Sequence, residues 1–301
     1  MRKNLFRTVR FLAIFGVMSA MVSCGGSSKE STESQADSAI DNQMKAKIVN
    51  DVKKVMVSLP SPVETSLLLK RAGAGYDETL LNPSENSKNY NTDKQKALNL
   101  GVYGADLSYA SIFEQDQTIM VYMNISKKLA IGLDLLAAID QSIIDRLEAN
   151  HDNRDSVIRI ISETFMNSNS TLKDDQRPET AALILAGGWI EGLYLATNLA
   201  ESVEDKDIIT RIVEQKLSFN ELLQLLETFS DNKDVADVLE SLAPVKAAFD
   251  AIEIQKEKVE VVTDEESKYV ELKSAQTINI TQEQFEALKS STLELRNSII
   301  Q

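Results

Sequence analysis

Two solitary carboxylates are the chain's best candidates for chemistry. Asp106 is the only charged residue in Ala97–Phe113 (ALNLGVYGADLSYASIF), and Glu191 is the only one in Ala181–Ala200 (AALILAGGWIEGLYLATNLA). Each is followed three residues on by a tyrosine, Tyr109 or Tyr194, which a helix places on the same face. A carboxylate taken into an apolar interior must be paired, hydrogen-bonded or protonated. One reading is a polar pocket between two helices, where Asp106, Tyr109, Glu191 and Tyr194 hold a small cationic ligand or a metal. The other is structural: each carboxylate accepts hydrogen bonds from a Tyr, Lys or Arg of a neighbouring helix and fixes the packing register. The structural reading is preferred. Salt-bridged carboxylates in a closed core would favour it, and carboxylates facing one enclosed cavity would favour the ligand site.

Other chemistry is poorly provided for. His151 is the single His, and Glu148-x-x-His151 has the spacing used in helical di-iron bundles. It occurs once, at a helix end beside an N-cap, where a His answering the helix dipole is the simpler account. One His and one Cys exclude zinc sites of the usual composition, and Ser–His–Asp or Cys–His catalysis lacks a credible base. Neither GxxxxGK[ST] nor GxGxxG is present. The expectation is no enzyme, no metal and no cofactor. An enzyme using Asp106 and Glu191 as acid and base is the least supported reading.

The carboxylates need long, buried helices to hold them. Ala181–Ala200 shows almost no polar face, so it is expected at the centre of the fold, enclosed on nearly all sides. Its length fits a bilayer span, but a mid-length Glu with Thr197, Asn198 and three glycines argues for a soluble core helix. Gly101, Gly104, Ala105, Gly187, Gly188 and Gly192 would let two helix backbones come close, and Trp189 reads as core.

The remaining pattern predicts an all-α fold, a multi-helix antiparallel bundle over residues 39–301. A first helix spans about Ile40–Leu59. Ser61-Pro62-Val63-Glu64 and Asn82-Pro83-Ser84-Glu85 are helix-start signals, with Gly73-Ala74-Gly75 breaking the chain between them. Together these form an N-terminal helical hairpin. Leu100-Gly101 followed by Asp106 and Tyr109 matches Leu185-Ala186 followed by Glu191 and Tyr194, at an offset of 85. Leu147-Glu148 with Asp152-Asn153-Arg154-Asp155 matches Leu226-Glu227 with Asp231-Asn232-Lys233-Asp234, at an offset of 79. This suggests an internal repeat over 97–170 and 178–255, two tandem four-helix units. The first comprises Ala97–Phe113, Gln117–Lys128, Leu133–Asn150 and Arg154–Ser168. The second comprises Pro178–Ala200, Asp205–Leu217, Asn220–Ser230 and Lys233–Glu257, with Pro244 kinking the last. Thr277–Ile280 reads as extended. Thr281-Gln282-Glu283-Gln284 then caps a final helix that docks by Phe285, Leu288, Leu293 and Ile299.

The N-terminus reads as an address. Met1–Arg10 is basic and Phe11–Ser23 is apolar, so residues 1–23 form a signal peptide. It ends in Met21-Val22-Ser23-Cys24, which resembles a bacterial lipobox and implies cleavage before Cys24 and lipidation of that residue. Gly25 in place of an Asp favours the outer membrane over the inner one. Residues 24–38 form a Ser/Gly/Glu-rich tether reaching roughly 20 Å as a random coil. Asp37-Ser38-Ala39 and Asp155-Ser156-Val157 match a short O-glycosylation pattern. With 11 glycines, 5 prolines and 6% aromatic residues, the 301-residue chain suits helices better than a turn-rich β fold. Its formal charge is −14, and loss of the four basic residues of 1–23 leaves 28 basic against 46 acidic. Such a surface repels phosphate, so no nucleic-acid partner is expected and the membrane is reached through the lipid.

Several runs carry a wider resemblance. They are Leu59-Pro60-Ser61-Pro62-Val63-Glu64, Leu81-Asn82-Pro83, Lys96–Tyr109 (KALNLGVYGADLSY) and Gly187-Gly188-Trp189-Ile190-Glu191-Gly192-Leu193-Tyr194. The chain is similar through them to a family of all-helical Gram-negative lipoproteins of unknown function. The resemblance implies a lipid anchor and a helical fold and transfers no catalytic residue. The expected function is an outer-membrane-anchored, non-enzymatic binding or scaffold module. It faces the periplasm or, alternatively, the cell surface, and its protein partner or small ligand is not named by the sequence. The alternative is a small-ligand carrier or sensor at Asp106 and Glu191.

Overall fold

The computed structural model describes residues 62–135, 141–150, 156, 160, 177–200, 206–256, 260–264, 269–273 and 276–301. The signal peptide, Cys24, the tether, the expected helix Ile40–Leu59 and His151 lie outside them. The described residues are predominantly helical, as an all-α fold requires.

Helix α1 (Pro62–Arg71) begins on its proline, as its start signal predicts. Gly73 ends it at φ +94, with Gly73 N–H on Lys70 O and Ala74 N–H on Leu69 O, the paired bonds of a left-handed C-cap. The second start signal yields only a 3-10 turn, Ser84–Lys88. Asn82 does not cap it: its Oδ1 accepts from the Asn86 amide, while its Nδ2 donates to Tyr90 and Asn99.

Helix α2 (Asp93–Ile112) opens on a Thr92–Gln95 capping box, four residues earlier than expected. Helix α3 (Asp116–Gly132) runs back along it, so that Lys96 Nζ reaches Gly132 O at 3.2 Å. Helix α4 (Gln141–Ala149) falls within the expected Leu133–Asn150, whose first residues are not helical, with Asp134 at a left-handed φ of +58; residues 136–140 lie outside the described ones.

Helix α5 (Pro178–Leu199) is the centre of the molecule, buried continuously from Thr180 to Thr197. It is long and apolar enough to cross a membrane, yet its apolar window lies wholly inside the protein. Arg177 Nη1, just ahead of α5, donates to Leu133 O at 2.6 Å. The starts of α2 and α5 therefore both sit on the end of α3, and α2 and α5 run parallel.

Helix α6 (Lys206–Glu227) is one helix where two are expected. Its buried stripe through Ile212, Phe219, Leu222 and Leu226 keeps helical period, and no Gly or Pro interrupts it. The expected helix Lys233–Glu257 instead divides into α7 (Lys233–Ser241) and α8 (Ala243–Asp250). Pro244 lacks the N–H that would bond Glu240 O and its ring clashes there, so the chain breaks and restarts with the proline in the first turn.

The chain then leaves helical geometry for two antiparallel strand pairs. Strand β1 (Glu253–Lys256) pairs with β4 (Gln276–Asn279), placing Ile254 opposite Ile278. Strand β2 (Glu260–Asp264) pairs with β3 (Tyr269–Lys273), placing Val261 opposite Leu272. Of the extended reading Thr277–Ile280, residues 277–279 fall in β4, while the helical reading through Glu257 is corrected. The bounds within 178–255 thus differ from those the proposed repeat implies.

Helix α9 (Gln282–Ile300) carries the expected Thr281–Gln284 capping box and buries Phe285, Leu288 and Ile299. Leu293 is a correction: it is 38% exposed, and the helix turns Leu295 and Arg296 inward in its place. Trp189 is core as expected, stacked on Phe219 at 5.0 Å and donating from Nε1 to Ser218 Oγ at 3.0 Å.

Candidate functional site

The parallel pair α2 and α5 brings Asp106 and Glu191 together. Glycine permits the approach at two positions. A Cβ on Gly101 would overlap the Ile184 carbonyl oxygen, and one on Gly187 would overlap that of Leu98. The same substitution at Gly104 meets open space and at Gly192 makes ordinary contact with Thr65, so those two glycines are not required by the crossing. With the helices locked in this register, the Asp106 and Glu191 carboxyls lie near enough for each to act on the other's proton affinity, both 0% exposed.

The cation comes from the far end of the chain. Arg296 on α9, itself 5% exposed, forms a two-pronged pair with Glu191: Nε to Oε2 and Nη2 to Oε1, both at 3.0 Å. Its guanidinium also donates to Leu80 O at 3.0 Å and lies 4.4 Å from the Tyr194 ring centroid. Tyr194 is therefore a platform for the arginine, and the site has its positive charge built in.

The segment 74–92 straps the site closed. Asn82 N–H donates to Asp106 Oδ2 at 3.0 Å, and Tyr122 of α3 donates to Asn82 O at 3.0 Å. The Asn82 amide donates to Tyr90 Oη (3.1 Å) and Asn99 Oδ1 (3.3 Å) and accepts from Asn86. Tyr103 Oη holds Pro83 O at 2.8 Å, and Tyr90 Oη donates to Ile300 O at 3.1 Å. Tyr109, expected beside Asp106, points elsewhere: its hydroxyl donates to Gly75 O and accepts from Asp77 N–H. It fastens the start of the strap instead of joining the carboxylates.

Electrostatics set the character of the centre. Burial pushes Asp106 well above the carboxylate range and the neighbouring Glu191 charge pushes it further, against the pull of Asn82 N–H and Arg296. Burial also leaves Glu191 above its ordinary value despite the guanidinium. Two ionised carboxyls in contact repel by on the order of 5 kcal/mol at the effective dielectric of a protein interior. Among the described residues, no hydrogen-bond donor reaches Asp106 Oδ1. Burial raises Tyr90, Tyr103, Tyr122 and Tyr194 as well, and takes Tyr109 to about 12, so these hydroxyls stay neutral donors.

Sequence reasoning pairs Asp106 with Glu191 and expects a Tyr, Lys or Arg partner, but it misses Arg296 and Asn82. Arg296 looks like any surface arginine of an amphipathic helix. Only the apolar neighbours at Leu295 and Ile299 hint at its inward face. Among the described residues no three metal-ligating side chains come together. Compared with family profiles, curated proteins and solved structures, the chain matches none.

Proposed function

We propose that the chain is an outer-membrane-anchored lipoprotein whose helical body is a non-enzymatic binding or scaffold module in the periplasm, of the kind its sequence resembles. The observation that carries this is Met21-Val22-Ser23-Cys24 at the end of an apolar segment, followed by a polar tether. The built-in Arg296 supports a structural role for the two carboxylates, since the chain itself supplies the cation they require. A small cationic ligand would have to displace that guanidinium.

The test is Cys24→Ser in the native host. The wild type should incorporate lipid label and sediment with outer membranes, and the variant should be released unlabelled. Continued labelling and sedimentation of the variant would remove the anchor. Crosslinking in intact cells, followed by pull-down of the wild type, then reports the partner of the body.

A further inference from the structure

The polar centre holds two carboxyls and one guanidinium, all buried, with one carboxyl oxygen unanswered. Asp106 Oδ2 is occupied by Asn82 N–H, while Oδ1 is buried without a donor and the Glu191 charge acts on this carboxyl. Both Glu191 oxygens already accept from Arg296. We propose that Asp106 and Glu191 form a proton-binding site, in which one proton rests on Asp106 Oδ1 at neutral pH and is donated to the Glu191 carboxylate. The centre is then neutral overall, and every polar atom of the pair has a partner. A proton fits here because Oδ1 is buried without a donor and the chain's own Arg296 already answers both Glu191 oxygens.

The surroundings supply no competing titration near neutrality. Arg296 faces the pair from α9 and stays charged, held up by Glu191. Tyr103 on α2, Tyr122 on α3, Tyr194 on α5 and Tyr76 and Tyr90 on the strap are all raised above the ordinary phenol value by burial. Asp77 and Glu78 on the strap are exposed and only add negative potential. Deprotonation strengthens the Asn82 N–H contact but sets a second negative charge beside Glu191 in the closed core, and that repulsion is what costs stability as pH rises.

The sign follows from linkage. A carboxyl whose folded pKa is raised takes up a proton on folding. Its contribution is fully present below the unfolded value of 3.8 and is lost as pH rises toward the folded one. Across that window the unfolding equilibrium constant should rise about tenfold per pH unit on this account. The experiment uses the full chain. Infrared spectra at neutral pH should show the carbonyl band of a buried carboxylic acid, moved by carbon-13 labelling of aspartate and absent from Asp106→Asn. The amide preserves the Asn82 contact and donates to Glu191, so the variant should fold and lose the tenfold slope relative to wild type. A wild type without that band at neutral pH, or an Asp106→Asn variant that keeps the slope, overturns the proposal. Should the variant not fold, the labelled wild-type band decides alone.

Discussion

Replacing Arg296 by Ala strands Glu191 in a site where the two side chains are 6% and 0% exposed. The carboxylate escapes by taking a proton. From the ordinary value of 4.5 that costs about 2.5 pH units at pH 7, or about 3.4 kcal/mol. Losing the Tyr194 platform and the Leu80 carbonyl bond adds about 1 kcal/mol. The expected loss is therefore about 4 kcal/mol, within the roughly 3–5 kcal/mol typical of a broken buried pair. In the variant the Glu191 folded pKa lies above its unfolded one, so the penalty is greatest at neutral and higher pH. It should shrink by about 1.4 kcal/mol per pH unit on acidification toward pH 5. Urea unfolding followed by Trp189 fluorescence reads this directly, because Trp189 is the single tryptophan and is 8% exposed in the fold. Adding Glu191→Gln to the variant removes the stranded charge and should restore about 3 kcal/mol at pH 7. A loss below about 1 kcal/mol, or equal losses at pH 5 and pH 7, would refute the claim that this pair is a desolvated charge couple.

Two further substitutions probe how the site is positioned. Gly187→Ala drives a methyl into the Leu98 carbonyl and should cost about 2–3 kcal/mol, whereas Gly104→Ala enters open space and should gain about 0.5–1 kcal/mol from helix propensity. Equal thermal shifts for the two would contradict the close α2–α5 crossing. Thr281→Ala removes the capping box of the helix that carries Arg296 and should cost about 1 kcal/mol in a circular-dichroism melt, and an unchanged melt would count against that cap.

Much of the fold is legible in local pattern. The buried course of α5, the Pro62 start, the Gly73 cap and the Thr281 box each follow from a few adjacent residues and have single physical readings. Errors arise where a local signal has two uses. Asn82-Pro83 has the form of a helix start, but Asn82 Oδ1 is taken by the Asn86 amide and its Nδ2 by Tyr90 and Asn99, and the chain there makes a 3-10 turn. Residues 251–257 carry enough charge to read as the end of a helix, although Glu253–Lys256 alternates and pairs with β4, Ile254 lying opposite Ile278.

The sequence alone determines that Asp106 and Glu191 go into the interior and need company there, because each is the one charge in a segment too apolar to face water. It equally determines the form of the N-terminal address, which is written in contiguous residues. Only the tertiary structure decides that the company is Asn82 N–H for one and Arg296 for the other. Burial is a property of a segment's own composition and period, whereas a counter-charge 105 residues away is fixed by how the last helix docks.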